Sequence, residues 1–202
     1  MNTLSLKLGG SAWGLYAERQ GDPKFQTFSS AVFKRDDDRC TFCSFRASKH
    51  MMVVNLDHNY QNNKMQNLAT ACPFCQQCLF LEAAGKLQAG GGTMIYLPEM
   101  SQGQLNALCH VLYAAVINGS QFALKADGYI QALKLRASLV EKNYGKGMSN
   151  PSFMGQILLD SLLPDGDEKS AKILDNVRLL PSIEGFENMI VEWAGSAISV
   201  NE

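Results

Sequence analysis

Hydrophobic and polar residues alternate over Thr3–Leu8, which predicts a short strand ended by Gly9-Gly10. Asp22-Pro23 has the form of an N-cap followed by proline at the first helical position. Phe25, Phe28, Val32 and Phe33 then recur at helical spacing, so a helix with one apolar face is expected over Pro23–Lys34. Met51–Leu56 is apolar and partly β-branched and reads as a strand. Asn59–Gln66 is polar and amide-rich and reads as a loop, and Pro73 to Ala84 favours helix. Gly85–Gly92 contains four glycines and reads as a plain connector, since no GK[ST] motif or Rossmann spacing follows. Beyond it, Met94–Leu97 predicts a third strand. Ser101 is placed to cap a helix carrying Leu105, Leu108, Leu112 and Ala115. Further helices are expected over Ala123–Glu141, over Pro151–Leu163 behind Ser149-Asn150, over Asp167–Leu180 and over Ile183–Trp193.

This pattern implies an α+β chain. A small module with an N-terminal strand covers residues 1–92, and a mainly helical extension, 93–202, packs on it, in two domains or one continuous domain. With 202 residues, 46% of them hydrophobic, the chain can bury a substantial core. The formal net charge of −1 argues against a protein that holds nucleic acid mainly through its phosphates. The N-terminus lacks the charged, apolar and small-residue pattern of an export signal. The longest apolar stretch, Ala107–Ile117, is interrupted by His110 and is too short to span a bilayer. A cytoplasmic protein is expected, reaching a membrane face only through partners.

The cysteines carry the strongest chemical signal. Two C-x-x-C pairs, Cys40/Cys43 and Cys72/Cys75, are each able to form a knuckle that aims two thiolates at one point. Together they supply the tetrahedral S₄ donor set that zinc prefers, closed to water and therefore structural. Six cysteines in a chain without an export signal argue against a disulfide framework. Cys75-Gln76-Gln77-Cys78 is also C-x-x-C, so Cys78 competes for a place in the set, but Cys72-Pro73-Phe74-Cys75 makes the better knuckle. Cys78 and Cys109 are read as small core residues, and His50 and His110 as a loop and a helix residue without a catalytic role. Phe153, Ile157, Leu158 and Leu162 are read as core, with a groove for a partner helix as the sharper alternative. Asp165-Gly166-Asp167-Glu168 reads as a helix start rather than a calcium loop.

The order of a helix, Arg39-Cys40-x-x-Cys43, a strand, Asp57-His58, Asn67-Leu68 and Cys72-x-x-Cys75 resembles the zinc-stapled HNH (ββα-metal) endonuclease module over about Pro23–Ala84. The resemblance implies that, in a nuclease, His58 would activate water, Asp57 would help hold a divalent ion and Asn67 would fix the loop. It also implies a histidine directly after the last cysteine, where this chain has Gln76, a weak metal ligand. Between Asp57 and Cys75 the only basic residue is Lys64. These departures favour no enzyme activity, with a metal-dependent DNA endonuclease as the alternative.

Over nearly its full length the chain resembles the IcmJ (DotN) family of the Dot/Icm type IVB secretion system. The stretches Cys40-Thr41-Phe42-Cys43, Leu56-Asp57-His58-Asn59 and Cys72-Pro73-Phe74-Cys75 carry the likeness. The resemblance implies a non-enzymatic adaptor of the coupling complex at the cytoplasmic face of the inner membrane. Its implied partners are the coupling ATPase DotL, with DotM and the IcmS–IcmW pair as neighbours. One structural Zn²⁺ and no nucleic-acid partner are expected.

Overall fold

Asp22 caps the helix that its sequence announces: its side chain accepts the Lys24 N–H at 2.9 Å, and Pro23 occupies the first turn. The structure, a computed structural model, describes residues 2–85, 90–161 and 172–198. Helices α1 (Ser11–Gln20) and α2 (Pro23–Arg35) lead into a two-stranded antiparallel hairpin of β1 (Met52–Asn55) and β2 (Leu68–Ala71). The register sets Met52 opposite Ala71 and Asn55 opposite Leu68. The short helix α3 (Pro73–Gln76) follows directly. A second antiparallel pair joins β3 (Gly92–Tyr96) to β4 (Val177–Pro181), bringing together segments far apart in the chain. Between them lie α4 (Gln102–Ile117), α5 (Ala123–Leu135), α6 (Ala137–Tyr144) and α7 (Pro151–Asp160), and α8 (Glu187–Ile198) follows β4.

Several expectations change. Thr3–Leu8 is not a strand. Leu4 and Leu6 are buried between exposed Thr3 and Ser5, so the alternation reports burial. The backbone instead makes single bonds to irregular chain, from Lys7 N–H to Cys78 O and from Leu81 N–H to Lys7 O. Helix α1 has no counterpart in the sequence reading. Residues 73–84 are not one helix but α3 and two 3₁₀ turns. Every residue from Asn67 to Ala84 is buried, and a segment enclosed on all sides has no single apolar face to keep it regular. The helix expected over Ala123–Glu141 breaks at Arg136, whose guanidinium turns to the Tyr96 carbonyl and pairs with Glu99. Of the helix expected over Asp167–Leu180, residues 167–171 lie outside the described residues, and the C-terminal part is β4.

α4 lies at the centre, packed against α5, β4 and α8. Its start is pinned by a full capping box, in which Ser101 and Gln104 each bond the other's backbone N–H. One hydrophobic cluster runs from Leu4 and Leu6 through Phe74, Phe80 and Leu105 to Ile190 and Trp193, so both halves of the chain contribute to it. A smaller cluster of Phe25, Val32, Val53 and Leu68 seats α2 on the hairpin.

α7 approaches the 3₁₀ turn at Leu81–Ala83 through Gly155. A Cβ there would stand 2.4 Å from Glu82 N and 2.7 Å from Glu82 Cα, and backbone cannot swing aside as a side chain can. Gly155→Ala should therefore cost about 1–3 kcal/mol, the usual toll of overpacking. A denaturation midpoint equal to wild type would show that α7 can shift freely.

Candidate metal centre

The first knuckle grows out of the end of α2. Asp37 and Asp38 sit at positive φ (56° and 52°) and turn the chain, after which Ser44 N–H closes onto Cys40 O at 2.9 Å. The second knuckle is the start of α3: Cys72 stands at its N-cap, and Cys72 O accepts the N–H groups of Cys75 (3.0 Å) and Gln76 (2.9 Å). Two bonds draw the knuckles together. Thr41 N–H donates to Thr70 O at 2.9 Å, and Thr70 N–H donates to the Asp36 carboxylate at 2.8 Å.

The result is that Cys40, Cys43, Cys72 and Cys75, all buried, place their sulfurs within 4.8 Å of one another, close enough to hold a metal ion. Cys43 Sγ and Cys72 Sγ are 3.6 Å apart. A tetrahedral centre with metal–sulfur bonds of about 2.3 Å has edges of about 3.8 Å, so the donor set fits such an ion. Without a cation these groups cannot all ionise. Burial pushes the Cys72 and Cys75 thiols up, while hydrogen bonds from Cys43, Cys72 and Cys75 pull Cys40 down. Cys78 is outside this quartet. Its thiol donates to Phe74 O at 3.2 Å, and burial pushes it up to about 12. Cys109 is a buried thiol as well.

α4 supplies two further contacts that the sequence reading missed. Asn106 Nδ2 donates to Cys75 Sγ at 3.2 Å, and His110 Nε2 lies 3.3 Å from Cys72 Sγ. The His110 ring is stacked between Phe45 (centroids 3.6 Å) and Phe74 (4.2 Å), with Trp193 edge-on at 5.3 Å. Burial pushes this imidazole down to about 3, so it is neutral at physiological pH. Gly103 lets α4 come this close: a Cβ there would meet Phe42 O of the first knuckle at 2.6 Å. The available signal was Gln102, Asn106 and His110, three polar residues at a spacing of four in an apolar helix.

Asp57, His58 and Asn67 occupy the loop after β1 and the turn before β2. Asp57 and Asn67 lock each other: Asn67 Nδ2 donates to the Asp57 carboxylate at 2.8 Å, and Asp57 N–H donates back to Asn67 Oδ1 at 3.0 Å. Asn62 and the Asn59 N–H also bond this carboxylate. Desolvation opposes its ionisation, but the bonds from Asn62, Asn59 and Asn67 outweigh it and hold Asp57 below the usual carboxylate range. His58 sits at φ 62° and points inward, its Nε2 3.2 Å from Leu8 O, so that Nε2 carries the proton and donates. Its ring packs on Phe80 and Tyr60, and its Nδ1 is buried without a protein partner. Burial lowers its pKa. Gln76 is buried. His50 faces Glu192 at 3.2 Å, at the surface.

Of the residues considered for a groove, Leu158 is core, Phe153 and Ile157 are exposed, and Leu162 lies outside the described residues, as does Asp165–Glu168. Among the described residues no helix is long and apolar enough to cross a membrane. No family model matches the chain. The type 4 apparatus protein DotN of Legionella pneumophila subsp. pneumophila (strain Philadelphia 1) is 42% identical to it over 195 residues, 96% of this chain and 91% of that protein.

Proposed function

The chain belongs to the DotN (IcmJ) family of type IV secretion apparatus proteins, and on that premise we propose that it is a non-enzymatic adaptor of the secretion coupling complex. It binds the coupling ATPase DotL, neighbours DotM and the IcmS–IcmW pair, and reaches the cytoplasmic face of the inner membrane through these partners. The observation that carries this reading is the near-complete length of the relationship to DotN. Cys40, Cys43, Cys72 and Cys75 hold one structural zinc, a choice supported by an all-thiolate, fully buried donor set. The β1–β2–α3 order around that site supports an HNH-like module as its origin. The halves 1–92 and 93–202 act as one folding unit, since a single hydrophobic cluster draws on both.

The nuclease alternative fares worse on geometry. A general base must reach the water it activates, and His58 Nε2–H donates a hydrogen bond to Leu8 O while its Nδ1 is buried. Asp57 already spends both oxygens on amides, and Gln76 brings no imidazole. Wild type and His58→Ala should therefore be equally inert on plasmid DNA with Mg²⁺ or Mn²⁺, while wild type co-purifies with the coupling ATPase. Cleavage by wild type that His58→Ala abolishes would replace the adaptor reading with the nuclease one. Failure to co-purify would remove the assignment to the coupling complex.

A further inference from the structure

The four sulfurs lie in a site with little water to share their charge, and a four-thiolate centre around a divalent cation carries a net charge of about −2 by simple count. Such a centre depends on N–H donors around it. α4 aims two side chains at it from outside the cysteine module, and both are buried: Asn106 is wholly enclosed and His110 nearly so. Neither contact is loose. Asn106 Oδ1 accepts from Gln102 Nε2 at 2.9 Å, which fixes the amide so that its Nδ2 faces Cys75 Sγ at 3.2 Å, with Cys78 Sγ farther off at 3.8 Å. Gln102 is fixed in turn by strand β4, donating to Leu179 O and accepting the Leu179 N–H, each at 2.8 Å. His110 is held in plane by Phe45 and Phe74. These are the marks of supporting groups around a metal: a buried nitrogen on the ligand atom, and an orientation set independently, by a second hydrogen bond for Asn106 and by stacking for His110.

We propose that Asn106 and His110 are positioning residues of the metal centre, donating hydrogen bonds to the Cys75 and Cys72 thiolates, and that Gln102 extends this line from the sulfurs to the backbone of β4. Helix α4 thereby contributes to metal retention although it supplies no ligand, and the C-terminal half is wired to the site. This inference rests on the metal reading above.

The test uses the full chain loaded with Co²⁺, whose thiolate-to-metal charge-transfer bands report on hydrogen bonding to sulfur, together with metal release to a chromophoric chelator. His110→Phe keeps a flat ring between Phe45 and Phe74 but removes the donor. Asn106→Leu removes the other donor at similar volume, and Asn106→Gln keeps an amide. His110→Phe and Asn106→Leu should each shift the charge-transfer bands and weaken metal retention about 10–100-fold, the usual range for supporting groups of this kind, while Asn106→Gln recovers part of both. Wild-type bands in the variants would overturn the proposal, even if release were faster, because a loosened helix changes release without changing the sulfur's electronic environment. A wild-type chain that takes up no Co²⁺ or Zn²⁺ would remove the metal reading and this inference with it. Uptake by wild type with unaltered variants would remove the inference alone.

Discussion

If the four cysteines hold zinc as proposed, a Cys72→Ser chain should fail to retain it and should lose at least about 5 kcal/mol of stability, leaving little or no cooperative unfolding transition. Metal binding in small all-protein zinc sites is worth roughly 10 kcal/mol or more and is folding free energy, because the unfolded chain has no such site. Here part of that is discounted, since the knuckles rest on a hydrophobic core that runs through the whole chain. What remains is still comparable to the net stability of a domain, about 5–15 kcal/mol. Cys72 is the ligand to choose because it is fully buried, starts α3 and faces His110. A serine there leaves a hydroxyl among apolar groups and an imidazole without its sulfur partner. Cys78→Ala is the control: buried nearby but outside the quartet, it should keep one zinc per chain and lose only about 1–2 kcal/mol. Metal content by native mass spectrometry and denaturant unfolding read both outcomes. A soluble, folded, zinc-free Cys72→Ser protein would show that packing alone holds the knuckles. Loss of zinc from Cys78→Ala would move Cys78 into the ligand set.

The sequence made the cysteine quartet legible because ligand spacing is local: each knuckle needs only four residues and a tight turn, and two such pairs are hard to explain by packing. Helix caps were legible for the same reason. Asp22, Ser101 and Asn150 each cap the helix that follows, and each bond closes within three residues. What could not be read depends on distant chain. Val177, Leu179 and Leu180 form an apolar run that suits a helix or a strand. Pairing with β3, more than eighty residues upstream, decides for strand. α1 escaped notice because it contains Gly14 and buries Arg19, a residue usually exposed. That guanidinium is accepted by Asn55 Oδ1, Asn63 Oδ1 and Val53 O and lies 4.1 Å above the Phe25 ring, an environment assembled from three separate segments. The donors of α4 were hidden in the same way. A polar residue at every fourth position is visible in the sequence, but nothing local says that the stripe faces a cluster of sulfurs rather than water.

Glu82→Ala should destabilise the chain by about 2–4 kcal/mol, through an orphaned buried donor and the packing lost with a buried side chain. The Glu82 carboxyl group is buried and takes the N–H of Gly9 at 3.0 Å on both oxygens and the N–H of Gly10 at 2.9 Å. It thus serves the chain just before α1, where Gly10 offers no capping side chain of its own. Removing it leaves the buried Gly9 N–H without a partner, at about 1–3 kcal/mol, and turns the N–H of exposed Gly10 over to water at smaller cost. For a chain of this size a loss of 3 kcal/mol corresponds to about 6–12 °C in Tm. Glu82→Gln keeps one acceptor oxygen and should lose less than half as much. A local consequence follows from the neighbour of Gly9. The Leu8 carbonyl accepts the hydrogen bond from His58 Nε2, so loosening residues 2–10 also uncovers that side of the ring, while Tyr60 and Phe80 still pack on it. Burial depresses that imidazole while the Leu8 carbonyl and the Glu82 charge raise it, so Glu82→Ala, which disturbs all three, should move the His58 titration followed by NMR away from its wild-type position. A variant with wild-type Tm and an unmoved His58 titration would mean that the Lys7 bonds to Cys78 and Leu81 hold the N-terminal segment without help from Glu82.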